Sequence, residues 1–126
     1  MQAAQIRVPS LVRIKRGALD RLGVYLRRGK HRQVLVLCSP LPQGIGEAAR
    51  RSVAAQEVEM TGWREVDGNE FENAVRIFAS LPKKVDAVVG IGGGKALDAA
   101  KYVAFLSRLP DYAVPTSLSN DGFCSA

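Results

Sequence analysis

The run from Val85 to Lys101 constrains the chain more than any other stretch. Its first part, Ala87-Val88-Val89-Gly90-Ile91, is apolar and β-branched, a length that suits a buried strand and falls short of a helix. Gly92, Gly93 and Gly94 follow, and consecutive glycines would only weaken a strand interior. They predict a tight turn at which backbone comes close to something else. From Ala96 to about Ser107 the sequence reads as helix, with Leu97, Ala100, Val103 and Ala104 on one face. Strand, glycine turn and helix in that order aim free backbone N–H groups and the positive end of a helix at a phosphate. Two familiar phosphate signatures come close without fitting. A G-x-G-x-x-G from Gly90 needs glycine where Lys95 stands. A G-x-x-x-x-G-K-[ST] ending at Lys95 needs glycine where Val89 stands and a hydroxyl at Ala96. The residues leave two readings open: a phosphate-binding loop, or a strand-to-helix connection without a ligand.

The rest of the chain supplies a frame for that unit. Ile6 to Arg16 alternates loosely and is interrupted by Pro9, as an edge strand or N-terminal arm would be. Gly17 to Arg28 predicts a helix with Leu19, Leu22 and Leu26 inward. His31, the only histidine, lies in a basic turn and reads as a surface residue. Val34-Leu35-Val36-Leu37-Cys38 is continuous enough for a central parallel strand covered on both faces, and Pro40 and Pro42 end it. Gln43 to Gln56 predicts a helix, and Val58 to Val66 a strand broken by Gly62. Asn69 to Leu81 predicts a helix with Phe71, Ala74, Val75 and Phe78 inward, and Tyr112 to Val114 a last short strand. Regular alternation of strand and helix implies an α/β fold, a Rossmann-like doubly wound and mainly parallel sheet in one domain spanning residues 1–126. In such sheets ligands sit beyond the carboxyl ends of the strands. The glycine turn and the segment from Thr116 onward should then share one rim.

Composition narrows the partners. The net charge of +6 is concentrated before Gln33, where Arg7, Arg13, Lys15, Arg16, Arg21, Arg27, Arg28, Lys30 and Arg32 face Asp20 alone. No aromatic interleaving accompanies them, and Arg21, Arg27 and Arg28 fall among Leu19, Leu22 and Tyr25 as a solvated helix face does. No nucleic-acid partner is expected. No apolar run approaches the length of about 20 residues that spans a membrane, and Met1 to Gln5 lacks the apolar core of a secretory signal. Cys38 and Cys124, far apart, make no disulfide framework, so a cytoplasmic location is the expectation.

After Val114 the chain becomes chemically dense. Thr116, Ser117, Ser119 and Ser125 carry hydroxyls, Asn120 an amide and Asp121 a carboxylate. Hydroxyls can contact a nicotinamide or a ribose, and a carboxylate can accept hydrogen bonds from a polyol. The same residues also suit a polar turn leading into a helix cap, and by themselves they do not choose.

Gly92-Gly93-Gly94-Lys95-Ala96-Leu97-Asp98-Ala99-Ala100-Lys101, followed by Val114-Pro115-Thr116-Ser117-Leu118-Ser119-Asn120-Asp121-Gly122, resembles the glycerol-1-phosphate dehydrogenases. These belong with the glycerol dehydrogenases, iron-containing alcohol dehydrogenases and dehydroquinate synthases. The resemblance runs from about Ile6 to the last residue and covers the N-terminal domain of that superfamily. It implies that Gly93, Gly94, Lys95, Ala96 and Leu97 lie on the cofactor pyrophosphate. Thr116, Ser117, Leu118 and Ser119 match a second cofactor contact, with Ser125 a further one, and Asp121 matches the residue facing the substrate hydroxyls. The Asn120-Asp121-Gly122 form is similar to the glycerol-1-phosphate enzymes, whereas Cys124-Ser125-Ala126 is similar to the glycerol dehydrogenases.

The implied activity is hydride transfer between NAD(P)H and dihydroxyacetone phosphate, giving sn-glycerol 1-phosphate. A glycerol dehydrogenase, a dehydroquinate synthase-like enzyme and a non-catalytic dinucleotide-binding module are the alternatives. The implied partner is a small polyol phosphate, and a homo-oligomer is compatible with the resemblance. Family members hold a catalytic metal, usually zinc, with an Asp and two His from a helical C-terminal domain. With one histidine, this chain is expected to be a fragment holding no catalytic residue and no metal ligand of its own. Many NAD-binding folds hold the ribose 2′-OH with an acidic residue after the second strand. Cys38-Ser39-Pro40 stands there instead, so both NAD and NADP remain open as cofactor.

Overall fold

A computed structural model of the chain describes residues 11–15, 18–68 and 70–116. Strand β1 (Leu11–Arg13) leads through a 3₁₀ turn (Leu19–Arg21) into α1 (Leu22–Arg28). Then come β2 (Gln33–Cys38), α2 (Ile45–Ala55), β3 (Glu59–Glu65), α3 (Glu70–Ala79), β4 (Ala87–Gly92), α4 (Gly94–Ser107) and β5 (Asp111–Pro115). The strands form one sheet in the order β1-β5-β4-β2-β3, and every neighbouring pair is parallel. The α/β doubly wound frame expected from the alternation is therefore present. The chain moves outward from β2 to β3, then crosses back over β2 to β4 and continues to β5. The direction of winding thus reverses between β2 and β4.

Side-chain alternation along the central strands divides the core into two layers. Val34, Val36 and Cys38 of β2, with Ala87, Val89 and Ile91 of β4, pack against Leu22, Leu26, Ala49 and Val53 of α1 and α2. Leu35, Leu37 and Val88 face the other way, toward Ala74 and Ile77 of α3 and Ala96, Ala99, Ala100 and Val103 of α4. Two-sided cover is why β2 and β4 read as unbroken apolar runs.

The first layer depends on a close approach. A Cβ on Gly23 of α1 would lie 2.0 Å from the Ser52 carbonyl oxygen of α2. In its absence, the Gly23 N–H donates to Ser52 Oγ at 2.8 Å, and that hydroxyl donates to the Asp20 carbonyl at 2.9 Å. Ser52→Ala leaves a buried N–H and a carbonyl without partners. It is expected to cost about 1–3 kcal/mol, read as a lower urea midpoint at unchanged slope.

Several expectations need correction. In α3 only Ala74 of the four predicted inward residues is buried, joined by Ile77, whereas Phe71, Val75 and Phe78 are exposed. The buried stripe is rotated by most of the 100° between neighbouring residues. Ala74 and Ile77 are the α3 residues that join the small side chains Ala96, Ala99, Ala100 and Val103 of α4 in one buried layer. Leu97 is half-buried, and Ala96 and Ala99 share the inward face of α4 with Ala100, Val103 and Ala104. The strand β3 is not broken at Gly62. It carries one extra residue there, with Val34 opposite Met60 and Leu35 opposite Gly62. A Cβ on Gly62 would sit 2.9 Å from Leu35 Cδ1, so the bulge places glycine where a side chain would collide.

The His31 side chain is only 13% exposed. Its ring meets Tyr112 edge-on at 5.4 Å, and Nδ1 lies 3.5 Å from Asp86 Oδ1. Asp86 also accepts the Arg32 N–H at 2.9 Å, which fastens the start of β2 beside the start of β4. These groups lie at the amino ends of the strands, away from the glycine turn.

Candidate functional site

The carboxyl ends of β2 and β4 meet at the point where the winding reverses, the place at which open α/β sheets leave a ligand crevice, and β5 ends beside β4. Ser39, just past β2, donates its N–H to the Ile91 carbonyl at 3.2 Å. Its Oγ accepts the Gly93 N–H at 3.2 Å. On the other side, the Thr116 N–H donates to the Gly92 carbonyl at 3.0 Å. Thr116 is half-buried beside the turn, so the two rim segments do adjoin where both are described.

The three glycines are not equivalent. Gly92 ends β4 with φ of +137°, and a Cβ there would lie 2.0 Å from Ser39 Oγ. The chain itself demands that glycine. Gly93 is the N-cap of α4 in extended conformation, with no side chain capping the helix. Its carbonyl accepts the Leu97 N–H at 3.1 Å. A Cβ on Gly93 or on Gly94 would meet no atom within 4 Å. The amides of Gly94, Lys95 and Ala96, in the first helical turn, have no intrahelical acceptor. The space beside Gly93 and Gly94 is clear among the described residues.

Packing behind the turn fixes its position. A Cβ on Gly90 would sit 2.7 Å from Ala100 Cβ, so glycine lets α4 lie close on β4. Ala96 is fully buried beneath the first turn, while Lys95 is exposed. The Lys95 ammonium reaches toward the end of β3, 3.3 Å from where a Cβ of Gly68 would be.

Two cavities flank Ser39. One, of about 390 Å³, lies between Lys95 and residues at or just beyond the ends of β2 and β3: Ser39, Pro40, Glu65, Asp67 and Gly68. The other, of about 340 Å³, is bordered by Cys38, Pro42, Arg50, Trp63 and Glu65. There the Arg50 guanidinium stacks 4.1 Å from the Trp63 ring centroid. Burial pushes the Cys38 thiol up, and its side chain packs in the first core layer.

Of the residues singled out in the sequence, Gly93, Gly94, Lys95, Ala96 and Leu97 form one continuous turn, with Thr116 next to it. Ser117, Leu118, Ser119, Asp121 and Ser125 lie outside the described residues. Sequence reasoning took Ser39 only as a missing acid and passed over Glu65 and Asp67. The available signal was polar residues directly after an apolar strand.

The sequence profile of the iron-containing alcohol dehydrogenases matches residues 13–126. The chain belongs to that family. Among its members, the glycerol-1-phosphate dehydrogenase [NAD(P)+] of Thermofilum pendens is 35% identical over 121 residues, covering 94% of this chain and 34% of that protein. A glycerol dehydrogenase of Thermotoga maritima is 47% identical over 55 residues, 44% of this chain and 15% of that one. In structure, the glycerol dehydrogenase of Schizosaccharomyces pombe superposes with a TM-score of 0.61 at 25% identity, over 92% of this chain and 30% of its own. The iron-containing alcohol dehydrogenase of Thermotoga maritima shares the fold with a TM-score of 0.72 at 21% identity, over 90% of this chain and 38% of its own. The chain thus spans about a third of the length of the first of these relatives. The resemblance carried by the Gly92–Lys101 and Val114–Gly122 motifs is borne out at the level of the family.

The family implies a metal and a nicotinamide cofactor, and the two fit this chain differently. Among the described residues no three His, Cys, Asp or Glu side chains converge as metal ligands, so no step through a metal is assigned to them. The start of α4 is compatible with the phosphates of a dinucleotide. A Cβ on Gly93 or Gly94 would meet nothing within 4 Å, and the first turn of α4 lacks intrahelical acceptors for its N–H groups, which leaves room and polarity compatible with an anionic group. No helix among the described residues is long and apolar enough to cross a membrane.

Proposed function

We propose that this chain is the dinucleotide-binding half of a metal-dependent polyol dehydrogenase that transfers hydride between NAD(P)H and dihydroxyacetone phosphate. The observation that carries this reading is the opening over Gly93 and Gly94 at the reversal of the sheet. In this reading the amides of Gly94, Lys95 and Ala96 hold the pyrophosphate. Gly93 and Leu97 complete that loop on the pyrophosphate, the Leu97 N–H donating to the Gly93 carbonyl, and the Lys95 ammonium balances the diphosphate charge. Thr116, Ser117, Leu118, Ser119 and Ser125 line the nicotinamide side, and Asp121 orients the polyol hydroxyls. A bound nicotinamide supplies the hydride chemistry, and the chain's part is to grip and orient it. The metal, zinc in this reading, takes its ligands from outside the described residues. The setting is cytoplasmic. The named activity of the Thermofilum relative supports the phosphorylated substrate. The 47% identity to a glycerol dehydrogenase favours unphosphorylated dihydroxyacetone as the second reading.

Titration of the chain with NADH, followed by nicotinamide fluorescence, is expected to saturate. Gly94→Asp places a carboxylate in the clear space and should weaken binding by about tenfold or more, since a like charge facing the diphosphate costs over 1.4 kcal/mol. A wild-type chain that shows no saturation refutes the dinucleotide reading.

A further inference from the structure

One face of the molecule collects the large apolar side chains that the core leaves out. Phe71, Val75 and Phe78 recur at helical spacing along α3 and stand exposed. Tyr102 and Phe105, three residues apart on α4, are exposed as well. The rings of Phe71 and Tyr102 meet edge-on at 5.8 Å, which joins the two stripes into one surface across both helices. Phe71 is 63% exposed and Phe105 67%, so this surface is open to water. Of the large apolar side chains exposed among the described residues, Leu11 alone lies elsewhere. Aromatic side chains gathered on an open face mark an interface.

The charges beside the apolar stripes decide what covers them. Glu72 and Arg76 are exposed four residues apart on α3, and Asp98 and Lys101 are exposed on α4. Two charges of each sign leave this face neutral, whereas the basic excess of the chain lies before Gln33. Two copies can therefore meet here without net repulsion from the face itself. The order of residues along α3 is also complementary to its own reverse. A two-fold axis crossing the helix near Val75 sets Phe71 level with Phe78 of a second copy. The same operation brings Glu72 within one residue's rise, about 1.5 Å along the axis, of the second copy's Arg76. An isologous contact requires this pattern, in which residue i meets j while j meets i. A foreign partner imposes no such symmetry on the chain.

We propose that the α3–α4 face is a homodimer interface, on which a second copy of this chain docks about a two-fold axis with the two α3 helices antiparallel. Phe71 and Phe78 pack across the axis, Tyr102 and Phe105 flank them, and Glu72 pairs with Arg76 at the rim. The exposed parts of the apolar side chains amount to about 450 Å² per copy. A stable pair draws about 800 Å² from each partner, so even with its polar rim this dimer is a reversible one, with a Kd of about 10 μM. The proposal stands apart from the nucleotide reading and does not require it.

The test is sedimentation equilibrium of the chain at low ionic strength, from about 1 to about 200 μM. The mass is expected to rise from that of one chain to that of two. Glu72→Arg and Arg76→Glu each set like charges opposite one another across the axis, and each should weaken self-association about tenfold or more. Mixed in equal amounts, the two variants should pair with each other at least as tightly as wild type, because the basic ridge of one then meets the acidic ridge of the other. Phe78→Ser removes an exposed ring outside the core and should weaken the dimer while the far-UV CD and the melting of the monomer stay as in wild type. A chain that remains monomeric throughout overturns the proposal, as does growth beyond the dimer. A dimer that Phe78→Ser does not weaken associates through another face. Weakening by both charge variants with no recovery in their mixture overturns the two-fold arrangement.

Discussion

Gly92→Ala is expected to destabilise the chain by about 2–4 kcal/mol, whereas Gly94→Ala, two residues on, should leave stability within about 1 kcal/mol of wild type. Two costs add at Gly92. Its φ of +137° is a backbone region that residues with a Cβ avoid. The new methyl would also lie 2.0 Å from Ser39 Oγ and 3.1 Å from the Ser39 backbone nitrogen. Rotating the Ser39 hydroxyl away relieves the shorter clash, but it gives up the 3.2 Å hydrogen bond from the Gly93 N–H. Gly94 lies inside the first turn of α4, and a Cβ there meets nothing within 4 Å, so alanine gains helix propensity at no steric cost. Binding should respond in the other sense. A bulky Gly94→Val fills the clear space and loses NADH affinity with little change in melting. Parallel urea unfolding and NADH titration on the three variants separate the two roles. If Gly92→Ala proved as stable as wild type, the glycine at the end of β4 would have no structural reason.

The second large effect is electrostatic and far from the turn. Asp111 opens β5 between Leu11 of β1 and Val88 of β4. It is 4% exposed, and its Oδ1 finds no hydrogen-bond donor among the described residues. Burial pushes its carboxyl up to about 6 from 3.8, and the charges of Lys101 and Arg13 only partly offset that. A raised folded-state pKa means the folded chain keeps its proton where the unfolded chain has lost it. Stability from this group is therefore intact below about pH 3.8, is lost as pH rises toward 6, and stays lost above. A carboxyl at about 6 in the folded chain and 3.8 in the unfolded one corresponds to about 3 kcal/mol at pH 7. Asp111→Asn should recover up to about 3 kcal/mol at pH 7 and remove the fall in stability between pH 4 and 6. Urea unfolding of both chains across that range checks it. A wild-type chain whose stability rises through the same interval, with the variant less stable at pH 7, would mean the carboxylate is charged and well paired.

Much of this was readable in advance for a physical reason. The runs Val34–Cys38 and Ala87–Ile91 are apolar on both faces, which only a central parallel strand tolerates, so they place themselves. Glycine repeats between strand and helix are similarly plain, because side chains are absent where they would otherwise be expected. Less was legible on α3. Its two candidate stripes, through Phe71 and Phe78 or through Ala74 and Ile77, are both apolar, and only the docking partner chooses between them. Gly62 could equally break a strand or relieve a bulge, and the Leu35 side chain across the ladder settles which. Asp111 is a charged residue by type, and its burial comes from the strands that pair with it on each side.

By itself the sequence determined the α/β class, the strands at the centre of the sheet, the glycine turn and the family to which the chain belongs. Those depend on local chemistry and periodicity, which a linear order of residues preserves. Only the tertiary structure decided that Ser39 meets Gly93, that a Cβ would clash at Gly92 and not at Gly94, and that Glu65 and Asp67 border the same cavity as Lys95. These contacts join residues from separate strands. Their proximity is created when β4 is inserted beside β2, and nothing local records it.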